Sequence, residues 1–259
     1  MRIDGRTVLI TGASEGIGAA CAREFLRRGA RLSLTARTES RLKEAGGSGA
    51  LVTAGDLTDP EVRQRVISRT LERFGAIDIL INNAGIGLYS PSWKAPLEEV
   101  HAMFKLNFFA PLGMIQLVAP HMRKRRSGMI VNIGSIAGKV TVPWLTLYSA
   151  TKFALGSLTE GLRMELAQDG IRTMVVCPGY VKTEFQNHAL IGRAPDRLVK
   201  GRKFAITAEQ CAEAVARGVE RNARTVVTPA IGWALIAAHR LFPAIVDAQM
   251  RKLYQSVGQ

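Results

Sequence analysis

A chain of 259 residues, 47% hydrophobic and 22% charged, has ordinary globular composition and enough length to bury a core. Its three cysteines (Cys21, Cys177, Cys211) and four histidines (His101, His121, His188, His239) are too scattered for a disulfide framework or a metal site, so no metal is expected. The net charge of +14 would suit a polyanionic ligand, an anionic membrane surface or a plain solvated exterior; the densest basic run, Arg123 to Arg126, has no interleaved aromatics and no nucleic-acid signature, so no nucleic-acid partner is expected.

Strand-like and helix-like periods alternate from the start. Residues 7–11 form an apolar β-rich run, and a helical pattern follows over 17–28. A strand at 31–35 precedes a short helix at 39–45, and a third strand covers 50–54. Asp59 and Pro60 open a helix through 74, with proline just inside its start. Strands at 77–82 and 129–133 flank a long helix over 97–122, and another long helix covers 148–167. The last strands fall at 171–177 and 225–228. Seven short apolar strands separated by helices imply a parallel sheet covered on both faces, in one domain over 1–259. No apolar run reaches the length of a bilayer span and the first residues show no leader pattern, which points to a cytoplasmic protein.

The first strand runs into TGASEGIG at 11–18, a turn containing Gly12, Ser14, Gly16, Ile17 and Gly18. Its glycines let a phosphate approach the backbone, and the helix starting there offers free N–H groups and a positive dipole end. The second strand ends without a carboxylate at 35–37 and with Arg37 instead. An acid there would hold the ribose of NAD, whereas arginine accommodates the extra phosphate of NADP. NADP is therefore expected over NAD. Asn82, Asn83, Ala84 and Gly85 follow the fourth strand, Gly134 and Ser135 the fifth, and Pro178 and Gly179 the sixth. Open parallel sheets bind ligands beyond the carboxyl ends of their strands. Tyr148 and Lys152 stand four residues apart in a helix, on one face, where an ammonium favours the phenolate.

Taken together, TGASEGIG, NNAG, a serine before YSATK, and PG followed by Thr183 resemble the motifs of the short-chain dehydrogenase/reductase family, in order and spacing, over roughly residues 6–229. The resemblance implies a doubly wound fold of the Rossmann type, mostly parallel and seven-stranded. It implies Tyr148 as proton donor or acceptor, Lys152 lowering its pKa and binding the nicotinamide ribose, Ser135 orienting a carbonyl, and Asn107 holding a relay water. It also implies Asp56 and Leu57 at the adenine, Asn83 at the adjoining ribose, and Val181 and Thr183 at the carboxamide. The function expected is hydride transfer between nicotinamide and a carbonyl or alcohol; the alternative is a noncatalytic dinucleotide-binding or sensing protein. A homodimer or homotetramer is expected.

Two departures stand out. Glu15 occupies a position in the turn where NADP-preferring relatives often carry a basic residue. The C-terminal tail lacks the ending of fatty-acid ketoacyl reductases, which speaks against that substrate class. Specificity should lie in residues 87–96 (Tyr89, Trp93), 139–147 (Val140, Val142, Pro143, Trp144) and 180–203 (Tyr180, with Arg193, Arg197, Lys200, Arg202 and Lys203). The apolar and aromatic members suit a hydrophobic substrate touching Ser135, Trp144 and Tyr180. In the tail (residues 230–259), Phe242, Ile245, Val246, Gln249, Met250, Leu253 and Tyr254 recur at helical spacing, with only Gln249 polar among them. Such an amphipathic extension either covers the core or an oligomer interface, or rests on an anionic membrane.

Overall fold

The computed structural model describes residues 1–192 and 204–255. Its central sheet has seven strands in the order β3-β2-β1-β4-β5-β6-β9: β1 (Thr7–Thr11), β2 (Arg31–Ala36), β3 (Leu51–Ala54), β4 (Ile79–Asn82), β5 (Gly128–Ile133), β6 (Ile171–Pro178) and β9 (Thr225–Thr228). Every pairing in it is parallel. The order reverses between β1 and β4, where a doubly wound sheet opens its ligand crevice. A small parallel pair, β7 (Val181–Lys182) with β8 (Ile206–Thr207), was not foreseen from strands this short.

Side chains alternate between the two faces, as the pleat requires. Val8, Ile10, Ile79 and Ile81 enter one core with α1 (Gly16–Arg27), α2 (Glu39–Gly46) and α7 (Ala208–Arg221). Leu9, Leu80 and Ile130 enter the other, against α3 (Pro60–Phe74), α5 (Ala110–Arg125) and α6 (Thr146–Glu165). Helix α3 starts as expected, with Pro60 in its first turn and the Asp59 carboxylate accepting from Glu61 N at 2.8 Å. Helix α7 was missed, although Thr207 and Gln210 form a capping box that the sequence displays.

The expected long helix over 97–122 is present but interrupted. Helix α4 (Leu97–Phe104) passes through a π-helical turn, Lys105–Phe109, into α5. By length and composition Leu97–Arg125 could cross a membrane, contrary to the expectation from apolar runs. In the fold, Met103, Asn107, Ala110, Met114 and Val118 of this stretch are buried in the protein.

The basic run at the end of α5 is largely consumed internally. Arg123 Nε donates to Asp169 at 2.6 Å, Arg125 Nη2 to the buried Asp78 at 2.6 Å, and Arg126 Nη2 to the Gln168 carbonyl at 2.8 Å. The tail forms α8 (Gly232–Leu241) and α9 (Pro243–Gln255). Its expected stripe divides. Val246 and Met250 pack on Val140, Val175, Cys177, Val227 and Ile236, while Phe242 and Ile245 face outward. The side chain of Leu253 lies outside the described residues, as do Arg193, Arg197, Lys200, Arg202 and Lys203.

Candidate active site

The carboxyl ends of β1 and β4 are stitched together by Thr11. Its Oγ1 accepts from Asn83 N at 2.9 Å and Ala84 N at 3.1 Å. Asn83 Nδ2 returns two bonds of 3.0 Å, to the carbonyls of Thr11 and Gly12. The glycine turn is thereby pressed against the residues after β4. A Cβ at Gly12 (φ +63°) would lie 2.8 Å from Ala84 Cα, and one at Gly18 would lie 2.2 Å from the Gly12 carbonyl. Only glycine fits there. Glu15 is the N-cap of α1, yet its side chain caps nothing. Its carboxylate turns away, accepting from Arg41 Nη1 at 2.8 Å and meeting His188 Nδ1 at 2.7 Å. The helix start is left with backbone N–H groups uncovered by any side-chain cap, a cradle that fits a dinucleotide pyrophosphate.

The remaining expected cofactor residues border the same edge. Arg37 follows β2, exposed and without an ion pair among the described residues. Asp56 Oδ1 accepts from Thr58 N at 2.8 Å after β3, and Leu57 is buried. Ile17 packs against the first core, Pro178 ends β6, Gly179 N donates to Thr228 O at 2.8 Å, and Val181 is buried in β7. A Cβ at Gly85 would lie 3.2 Å from Asn107 Oδ1 and 3.5 Å from Lys152 Nζ, so this glycine lets the chain pass close to both.

Ser135, Tyr148, Lys152 and Asn107 converge beside it. The Ser135 hydroxyl neighbours the Tyr148 phenol and acts to lower its pKa, and Ser135 Oγ accepts from Ala137 N at 3.1 Å. Lys152 Nζ donates to the Ile133 carbonyl at 2.9 Å and lies 5.7 Å from the Tyr148 ring centroid. Asn107, fully buried in the π-helical turn, receives Ile86 N at 2.8 Å and donates to Ile86 O at 2.9 Å and to Thr151 Oγ1 at 3.2 Å. Both N–H groups of its amide therefore end on protein atoms, so the relay water that the resemblance implies would donate to an oxygen acceptor. Thr151 was not singled out from the sequence; its Oγ1 donates to the Tyr148 carbonyl at 2.7 Å and links Asn107 to the tyrosine's own backbone.

The electrostatics differ from the simple expectation that Lys152 lowers the tyrosine pKa. Burial pushes the Tyr148 phenol above its ordinary value; the neighbouring Ser135 hydroxyl opposes this and Tyr89 adds to it. Burial also lowers the Lys152 ammonium to about 8, against a smaller opposing influence of Cys177. In the free chain, desolvation drives both groups toward their neutral forms.

A strap crosses this edge. A Cβ at Gly16 would meet Thr183 Cγ2 at 3.3 Å, and His188 reaches Glu15, so the strap begins on the glycine turn. Phe185, another residue the sequence reading missed, brings its ring centroid to 5.7 Å from that of Tyr148. Leu190 N then donates to Gly87 O at 2.9 Å, and Tyr89 N donates to Ile191 O at 3.0 Å. Of the expected substrate surface, Tyr89 is buried near Tyr148, Val140 is spent on the tail cluster, and Trp93 faces solvent. Trp144 takes φ +68°, its carbonyl receives Ser90 N at 3.0 Å, and its ring centroid lies 5.9 Å from that of Tyr254. Tyr180 is tied to β8 through its carbonyl, which receives Ile206 N at 3.1 Å.

A glycine cradle at the switch point of a doubly wound sheet, beside a buried tyrosine–lysine pair with a half-buried serine next to it, defines a nicotinamide-dependent oxidoreductase. The family model for short chain dehydrogenase matches residues 6–192. The chain belongs to the short-chain dehydrogenase/reductase family and is an NAD(P)-dependent dehydrogenase/reductase. It is 32% identical over 259 aligned residues to the ketoacyl reductase HetN of Nostoc sp., covering 95% of this chain and 88% of that one. A short-chain dehydrogenase/reductase from Burkholderia phymatum in complex with NAD superposes with a TM-score of 0.85 at 26% identity, covering 96% of each chain. One from Burkholderia cenocepacia in complex with NADP gives 0.82 at 28% identity, covering 96% of this chain and 99% of that one.

Proposed function

We propose that this protein is an NADP-preferring carbonyl reductase or alcohol dehydrogenase for a hydrophobic substrate, with Tyr148 as its acid/base group. The observation that carries this reading is the gathering of Ser135, Tyr148 and Lys152 next to the glycine cradle. Bound nicotinamide would supply or accept the hydride. Gly12, Ser14, Gly16, Ile17, Gly18, Asp56, Leu57, Asn83, Ala84, Gly85, Pro178, Gly179, Val181 and Thr183 would hold the dinucleotide.

In the reducing direction the Tyr148 hydroxyl gives its proton to the substrate oxygen, and in the oxidising direction it takes that proton back. Ser135 Oγ, fixed by Ala137 N, holds the same oxygen. With a pKa of about 8, Lys152 is mostly charged at neutral pH and stabilises the phenolate as it forms. Asn107 acts through Thr151, whose hydroxyl holds the Tyr148 carbonyl. The noncatalytic alternative gives no reason to gather these four groups together.

NADP is favoured by the free guanidinium of Arg37 and by Arg41, which sits on the Glu15 carboxylate and offsets the acidic departure in the turn. Hydrophobic substrate is favoured by Phe185 and Tyr89 beside Tyr148. The exposed Phe109 of the π-helical turn and the exposed Phe153 and Met164 of α6 favour self-association through those helices, as a homodimer or homotetramer.

Tyr148→Phe tests the reading. Turnover should fall by ~10²–10⁴-fold, while NADPH fluorescence still reports binding. Near-normal turnover would refute the role. Initial rates with both cofactors should be measured on ketones, aldehydes, alcohols and a 3-ketoacyl thioester, the last because HetN is named a ketoacyl reductase.

A further inference from the structure

The tail leaves an apolar surface that neither the sheet nor the candidate site accounts for. On α8 and its approach, Ile231, Trp233, Leu235 and Leu241 are exposed; at the start of α9, Phe242 and Ile245 are exposed at 57% and 62%. The inner sides of the same helices are satisfied, through Ile236 and Val246. Large apolar side chains gathered on two consecutive helices in this way mark a docking surface and not scattered exposure.

Charge selects the occupant. Most of the cations at the end of α5 are bound to Asp169, Asp78 and the Gln168 carbonyl. By contrast Arg240, Arg251 and Lys252 are exposed and form no ion pair among the described residues, and they stand against a single carboxylate on these helices, Asp247. Apolar side chains bordered by free cations, on a chain of net charge +14, complement a bilayer surface with anionic headgroups. A second copy of this chain would bring the same cations against themselves unless Asp247 intervened, and other exposed apolar side chains lie on α6 and the π-helical turn.

We propose that α8 and α9 form a docking surface for an anionic lipid bilayer, with Trp233, Leu241, Phe242 and Ile245 entering the interface and Arg240, Arg251 and Lys252 meeting headgroups. The surface meets the loop that leads into the helix carrying Tyr148: Tyr254 of α9 packs on Trp144, two residues before α6 begins. An apolar substrate dissolved in the bilayer would reach the protein on that side.

Full-length protein should be sedimented with vesicles of phosphatidylcholine plus phosphatidylserine, and with phosphatidylcholine alone, at low salt. Three cations less one carboxylate, at roughly fivefold per net charge, predict ~30-fold stronger partitioning to the anionic vesicles. Phe242→Glu with Ile245→Glu should abolish sedimentation while turnover of a water-soluble carbonyl is unchanged. Arg251→Glu with Lys252→Glu, which spares the apolar surface, should reduce anionic binding at least to the phosphatidylcholine level. Wild-type protein left in the supernatant with anionic vesicles overturns the proposal. So does a fall in molar mass by light scattering for the first double variant, which would assign the surface to a second copy.

Discussion

Replacing Lys152 with methionine separates two effects that neutral pH superposes. The ammonium's pKa is 10.5 in an ordinary setting and about 8 in the fold. Between these values the unfolded chain binds more protons than the native one, so wild-type stability rises as pH climbs through this window. At about 1.4 kcal/mol per pH unit, the full rise is ~3 kcal/mol. Below pH 8 the wild type bears that whole cost of burying a charge, and methionine bears none of it. Against this, the variant loses the 2.9 Å hydrogen bond to the Ile133 carbonyl, at about 1–3 kcal/mol for a buried acceptor left unmade. The variant should thus equal or exceed the wild type by up to ~2 kcal/mol at pH 7, and fall ~1–3 kcal/mol below it near pH 10.5. Tyr148, raised by burial in both proteins, weakens each of them alike above pH 10 and cancels from the difference. Urea unfolding of both proteins across this range, without cofactor, measures the difference directly. A difference that does not change with pH would refute the assignment of a buried, destabilised ammonium to Lys152.

Arg37→Asp should move the cofactor preference from NADP toward NAD, read as the ratio of initial rates with the two cofactors; an unchanged ratio would remove Arg37 from the phosphate site. Gly18→Ala places a Cβ 2.2 Å from the Gly12 carbonyl. That overpacking should cost about 1–3 kcal/mol in a melting experiment and weaken NADPH binding by titration. Thr11→Val keeps the shape but leaves the Asn83 and Ala84 amides without their acceptor. The expected loss is about 1–3 kcal/mol for each amide, measured by denaturant unfolding.

What the sequence revealed depended on how local the signal was. Strands β1 and β9 and helix α3 fall where apolar runs and the Asp59–Pro60 start place them, because each is set by its own residues. The spatial order of the strands is a property of the whole sheet and was not legible; the family resemblance implied only a doubly wound sheet. The capping box of α7 was local and legible, and was overlooked. The π-helical turn carrying Asn107 is of another kind, since nothing in Lys105–Phe109 announces i→i+5 bonding. In the candidate site, Tyr148 and Lys152 were visible through their spacing. The partner that fixes Tyr148, Thr151, accepts a single bond from Asn107, which lies more than forty residues away. Burial, which overrides the lysine's influence on the phenol, also comes from distant segments such as Phe185 and Tyr89.

The strap over residues 183–191 is held at one end by the glycine turn and at the other by the loop after β4. The two halves of the crevice consequently share one piece of chain. If a dinucleotide at the turn draws His188 away from Glu15, the affinity for substrate beside Phe185 changes by some factor. Thermodynamic reciprocity then obliges the substrate to change dinucleotide affinity by that same factor. Titrating either ligand with and without the other would express, as a single ratio, how stiffly the strap joins the two halves.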